Sequence, residues 1–328
     1  LLWWAWVAYS WLGTSIRIDE GAVQVAMFVA MGAIMLLALL MPDFFDDERG
    51  ASVAMIAASA YVVVRLMHLH LFYVGGRSDP GISSAVARLA RTVVIAAALL
   101  LGGAYLGGTW QMILVTVAVA IDVIGPFLGG GRGWRLSLGH FAERYGLIVI
   151  IALGESIVAI GIGAAGVPVS ASLLVTAGLG VAVACALWLA YFDGAASAME
   201  HAVAGRDGVA RVTTARDVYS VMHFLVVAGL ILVALTMKSA LKYEGWQEPL
   251  AGYAAFALGL GLCLFLGALW LMRRRSGART AWAEPVVAGL ALMLIPLGAL
   301  LPASVSITAA VGIALAWRVV RADPTPAH

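Results

Sequence analysis

The sequence predicts an all-α protein, a polytopic bundle of transmembrane helices with no soluble catalytic domain, and three observations carry that prediction. Of the 328 residues, 63% are hydrophobic and only 12% charged, with a mean hydropathy of +0.99. A soluble protein has a charged fraction of roughly 25%, because its surface must be wetted. The apolar residues are gathered into runs close to the ~20 residues that cross a hydrocarbon core of about 30 Å. The basic residues between those runs fall almost entirely on alternate connections.

Breaking the runs at Gly, Pro and charge clusters places spans at residues 1–14, 21–41, 51–73, 84–107, 109–128, 140–164, 170–194, 215–237, 249–272, 282–301 and 303–320. These are eleven spans in a single bundle domain over residues 1–328, joined by short connections. The longest polar connection, 194–217, reads as a surface helix or a regulatory loop.

Connections alternate sides of the membrane. Sixteen of the twenty Lys and Arg fall on one side, Arg132, Arg206, Arg274 and Arg318 among them, whereas Arg49, Lys238 and Lys242 fall on the other and Arg65 lies inside a span. Such an asymmetry marks the Arg-rich side as cytoplasmic, and the C-terminus with it. Leu1 then lies at the outer face, inside the apolar run Trp3-Trp4-Ala5-Trp6-Val7. With a cytoplasmic start, the expectation is one more helix ahead of Leu1 and twelve spans in the intact protein. An internal repeat points the same way: Trp6-Val7-Ala8-Tyr9 returns as Trp188-Leu189-Ala190-Tyr191, and Phe28 and Met41 align with Phe224 and Met237. Halves at 1–135 and 136–328 would be parallel six-helix repeats about an axis along the membrane normal.

Several functions are disfavoured. A net charge of +2 indicates no nucleic-acid partner. Lys238 and Lys242 follow Met237 and Leu241, where a phosphate loop needs Gly. Gly161-Ile162-Gly163-Ala164-Ala165-Gly166 follows a long apolar helix and lacks the strand that a dinucleotide site requires. His68 and His70 project about 200° apart around a helix and cannot share a metal. Cys185 and Cys263 read as small apolar residues. No cofactor or metal is expected; the bilayer itself is the principal partner.

The informative residues are the ionisable ones inside apolar spans, each costing on the order of 3 kcal/mol near the bilayer centre. Glu155 lies well inside its helix. Arg144, eleven residues earlier, shares its face about 16 Å away, with His140 nearby. In the third span Tyr61, Arg65, His68 and Phe72 recur at intervals of four, three and four and form one stripe. Asp122, Glu143, Asp193 and His223 fall in the cytoplasmic half. The picture is a polar vestibule open to the cytoplasm with Glu155 at its floor, facing Tyr61, Arg65 and His68. The plainer alternative makes Arg65 and Glu155 a structural pair. Arg273-Arg274-Arg275 reads as a topology anchor suited to anionic lipid.

The run from His140 through Glu143-Arg144-Tyr145-Gly146 to Leu153-Gly154-Glu155-Ser156 and Gly161 strongly resembles the bacterial low temperature requirement protein A family, supported by Trp3-Trp4-Ala5-Trp6-Val7 and Arg65-Leu66-Met67-His68. The resemblance covers the whole chain. It implies a bacterial inner-membrane protein linked to growth in the cold, and a helix with an acidic, Phe-rich stretch preceding Leu1. Three readings follow. The first is a secondary transporter or solute-responsive protein exchanging protons through Glu155 and neighbouring His or Asp groups, with a small molecule or proton as ligand. The second is a non-transporting component of cold or envelope-stress adaptation, and the third an intramembrane enzyme.

Overall fold

The computed structural model describes residues 1–14, 21–46, 51–128, 130–134, 136–241 and 247–321. Arg17, Arg49, Arg135 and Lys242, which enter the charge asymmetry, lie outside the described residues. The described chain is all-α. Its only strand-like feature is one isolated bridge between Pro249 and Pro302. The helices are α1 (Leu2–Leu12), α2 (Gly21–Leu40), α3 (Ala51–Gly76), α4 (Pro80–Leu106), α5 (Gly108–Leu128), α6 (Leu138–Ala164) and α7 (Ala171–Phe192). They continue with α8 (Ala195–Ala204), α9 (Gly208–Ala215), α10 (His223–Ser239), α11 (Gly252–Ser276), α12 (Ala283–Leu290), α13 (Leu294–Leu300) and α14 (Ala303–Val320). Among the described residues ten helical stretches are long and apolar enough to cross a membrane. They correspond to the second through eleventh expected spans, and α1 occupies the first.

Local chemistry sets the helix ends. Asp79 caps α4 by accepting from the Gly81 and Ile82 amides, with Pro80 in the first turn, where its missing N–H costs nothing. Ser170 caps α7 through the Leu173 amide. Gly277, at φ 92°, closes α11 in the left-handed conformation that glycine adopts without strain.

The helices depart from the expected spans in two regions. The connection 194–217 is largely helical, because Ala195, Met199 and Val203 recur every four residues and give α8 a buried stripe. A π-helical segment, Arg216–Met222, joins α9 to α10, so one span runs unbroken from Gly208 to Ser239. The span expected at 282–301 is interrupted by a 3-10 turn at Ala291–Met293 between α12 and α13.

The chain forms two compact units, Leu1–Phe141 with Gly208–Thr213, and Ala142–Asp207 with Thr214–His328. In the first, α3 packs against α1, α2 and α4, and α4 against α5. Gly125 of α5 meets Thr92 of α4 so closely that an added Cβ would sit 2.4 Å from the Thr92 hydroxyl. In the second, α11 is the central helix, packing against α8, α10, α12, α13 and α14, while α14 packs on α7. There Gly229 and Gly261 let two backbones touch: a Cβ on Gly229 would lie 2.5 Å from the Gly261 carbonyl. Such small-residue contacts drive helix association where lipid removes the hydrophobic incentive. The outward face of α2, with Val25, Phe28, Met31, Met35 and Leu39, is apolar, as contact with acyl chains requires.

Candidate functional site

The stripe on α3 is buried along its length: Tyr61, Arg65, His68 and Phe72 are each less than 5% exposed. Opposite it, α5 buries Gln111, Val115, Ala118 and Asp122 at intervals of four, three and four. The two stripes meet in an ion pair. Arg65 Nη2 donates to Asp122 Oδ1 at 2.6 Å and the Tyr61 hydroxyl to Asp122 Oδ2 at 2.5 Å, with the charged side chains only 3% and 2% exposed.

Asp122 is held from its backbone as well. Pro126 stands four residues on, inside α5, and has no N–H to give the Asp122 carbonyl. Trp4 Nε1 of α1 donates to that carbonyl instead, at 3.0 Å. Tyr9, one helix turn and a residue further along α1, donates its hydroxyl to the Val64 carbonyl at 3.0 Å and sets its ring 5.6 Å from that of His68. Phe72 meets His68 edge-on at 4.9 Å. The His68 ring nitrogens are buried without a well-formed hydrogen bond, with the Ala8 backbone carbonyl as a polar neighbour.

The carboxylate that meets Arg65 within the first unit is Asp122; the sequence suggested Glu155. Glu155 is exposed and, among the described residues, has no hydrogen bond or ion pair. Helix geometry explains why: α6 buries Phe141, Tyr145, Val149, Ala152, Ser156 and Ala159 at intervals of three and four, and Glu155 falls beside that stripe. Arg144 is half-buried, and Glu143 and His140 are exposed near the start of α6. Of the residues singled out from the sequence, Tyr61, Arg65, His68 and Asp122 come together in the first unit.

His223 belongs to a separate cluster in the second unit. Its Nδ1 lies 3.0 Å from the Val218 carbonyl and its Nε2 2.8 Å from the Tyr191 hydroxyl. A carbonyl only accepts, so Nδ1 carries a proton, and in the neutral ring Nε2 then accepts from the Tyr191 hydroxyl. Tyr219 stacks on the ring at 5.2 Å, Tyr145 meets it at 5.1 Å, and the Tyr145 and Ser220 hydroxyls are 3.2 Å apart. Sequence reasoning did not connect these tyrosines to His223. The recurrence of Tyr191 in the repeated Trp-x-Ala-Tyr motif was the available signal.

Two members of the Arg273-Arg274-Arg275 cluster make ion-pair contacts within the protein. Arg273 is fully buried, 3.8 Å from Glu284, and donates to the Arg279 carbonyl at 2.6 Å, while Glu284 accepts from the Ala281 amide. Arg275 pairs with Asp217 at 2.6 Å, and Arg216 shares that carboxylate. Arg274 lies over the Trp270 ring at 5.5 Å. Asp193 pairs with Arg318.

With ten membrane-length apolar helical stretches among its described residues, and a charged pair buried between two of them, the chain is an all-α polytopic membrane protein. It belongs to the bacterial low temperature requirement A (LtrA) family, whose model matches residues 1–319. It is also similar to the Uncharacterized protein RA0937 of Rhizobium meliloti (strain 1021), at 25% identity over 294 residues, covering 83% of this chain and 67% of that protein. No solved structure matches the chain.

Proposed function

We propose that the protein is a proton- or solute-responsive component of the bacterial inner membrane, of the secondary-transporter type, in which the Arg65–Asp122 pair is the working element. In this reading the Arg-rich side and the C-terminus face the cytoplasm, and no enzymatic step is involved. The observation that carries it is two opposite charges kept almost fully buried between α3 and α5. Ionisable groups inside a membrane bundle are costly and are retained chiefly along ion, proton or substrate pathways. Asp122 takes the proton-exchanging role that the sequence suggested for Glu155, with Tyr61, Trp4 and Arg65 holding it in place.

A second reading is favoured by a different observation. The cavity beside the pair measures about 10 Å³, far below the roughly 300–1,000 Å³ of a small-molecule site. A packed centre suits a non-transporting component of cold or envelope-stress adaptation whose ion pair is purely structural.

One variant separates the two. Replacing a buried ion pair by apolar residues of similar volume is often neutral or stabilising, so Arg65→Met with Asp122→Leu should insert and express normally. If the charges do the work, this double variant fails to restore growth of a deletion strain in the cold. Full restoration at normal expression sinks the working role and leaves the structural one.

A further inference from the structure

The central helix of the second unit is not closed all round. Among the described residues α11 is the most buried of the ten membrane-length stretches, and Leu262, Leu266, Leu269 and Met272 lie wholly inside the protein. On another face Leu264, Gly267 and Trp270 are partly open, and Leu271 and Arg274 are exposed. These positions recur at intervals of three and four, so they form one seam along the helix. At 1.5 Å per residue the seam from Leu264 to Arg274 is about 15 Å long, half of the roughly 30 Å hydrocarbon core and therefore the depth of one leaflet.

Gly267 deepens the seam. Gly261 of the same helix is explained by packing, since a Cβ there would lie 2.8 Å from the Gly229 carbonyl, but a Cβ on Gly267 would meet nothing within 4 Å. At the mouth stands Arg274. Its neighbours Arg273 and Arg275 are engaged with Glu284 and Asp217, whereas Arg274 has no ion pair among the described residues and lies over the Trp270 ring at 5.5 Å. We propose that the seam binds one anionic phospholipid, with an acyl chain along Leu264, Gly267 and Leu271 and the phosphate on the Arg274 guanidinium. Charge selects the headgroup: a guanidinium without a carboxylate partner makes charge-assisted hydrogen bonds to a phosphate diester. Trp270 suits the level between acyl chains and headgroups, where indole rings gather. The apolar lining selects a lipid over a free anion. The Arg65–Asp122 pair lies in the other unit, so the inference is independent of the proposed function.

Native mass spectrometry of the full chain tests it, by titrating the detergent-solubilised protein with phosphatidylglycerol or with phosphatidylcholine of the same acyl chains. The wild type should bind the first phosphatidylglycerol several-fold more tightly than the first phosphatidylcholine. Arg274→Gln should lose most of that preference. Arg279→Gln, which removes another exposed charge outside the seam, should keep it. Gly267→Leu should weaken the binding of both lipids by filling the notch. Equal binding of the two lipids by the wild type, a preference that survives Arg274→Gln, or an equal loss in both arginine variants overturns the proposal. So does displacement of phosphatidylglycerol by inorganic phosphate, which would mark a free-anion site, or unchanged binding by a folded Gly267→Leu. Should Gly267→Leu fail to fold, the two arginine variants decide.

Discussion

Trp4 completes a helix that it does not belong to: its indole N–H serves the Asp122 carbonyl that Pro126 leaves without a partner inside α5. Phenylalanine at position 4 keeps most of the ring and removes the donor. Trp4→Phe should therefore cost about 1–3 kcal/mol, the penalty for an unsatisfied buried acceptor, read as a lower thermal unfolding midpoint in detergent. Pro126→Ala restores the N–H of α5 itself. Combined with Trp4→Phe it should recover much of the loss, so a strictly additive double variant would show that the two groups do not serve the same carbonyl.

Arg65 and Asp122 are expected to depend on each other more than either depends on its surroundings. Arg65→Met alone leaves the Asp122 carboxylate buried without its ion-pair partner, hydrogen-bonded to Tyr61, and removing one partner of a buried pair costs about 3–5 kcal/mol. Folded protein recovered from membranes should fall sharply for Arg65→Met and recover in the Arg65→Met, Asp122→Leu double variant. If both proteins are recovered equally poorly, packing around the stripe and not the charge pair is what the substitutions disturb.

Much of this arrangement was legible in the sequence, and the part that was not has a physical reason. Span positions follow from run length and hydropathy, which act along the chain, and the stripe Tyr61-Arg65-His68-Phe72 follows from helical period. Which carboxylate meets Arg65 depends on how helices pack side by side, a relationship that no single helix encodes. The clues were nonetheless present. Asp122 stands four residues before a proline, on the same stripe as Gln111, Val115 and Ala118, and Glu155 lies beside the Phe141-Tyr145-Val149-Ala152-Ser156 stripe of its own helix. Counting charges by membrane side likewise says nothing about whether an arginine is buried. Arg273 and Arg275 turned out to be engaged within the protein, with Glu284 and Asp217 as their partners.

Glu155 makes the opposite prediction from Asp122. It is exposed and, among the described residues, has no hydrogen-bonded or ion-paired partner. Glu155→Gln therefore breaks no internal contact, and substitutions of that kind stay within about 0.5 kcal/mol. Unfolding midpoint and expression should match the wild type, and growth of a complemented deletion strain in the cold should be unaffected. Normal folding together with loss of growth would return Glu155 to the working site by a route other than Arg65.

Membrane orientation is the last expectation, and it rests on charge alone. The three arginines that end α11 lie on the same side as Arg132 and Arg206 by the alternation of spans, and Lys238, at the end of α10, lies on the other. Positive residues flanking spans are held on the cytoplasmic side during insertion, so the first group should be inside and Lys238 outside. Arg274 is exposed and rests on Trp270 without an ion pair in the described structure, which makes it the member of the cluster best suited to replacement. Single cysteines at Arg274 and Lys238, in a background with Cys185 and Cys263 changed to alanine, should react oppositely with a membrane-impermeant maleimide. In intact spheroplasts Lys238→Cys labels and Arg274→Cys does not; after permeabilisation both label. Labelling of Arg274→Cys in intact spheroplasts would invert the topology and with it the assignment of the C-terminus to the cytoplasm.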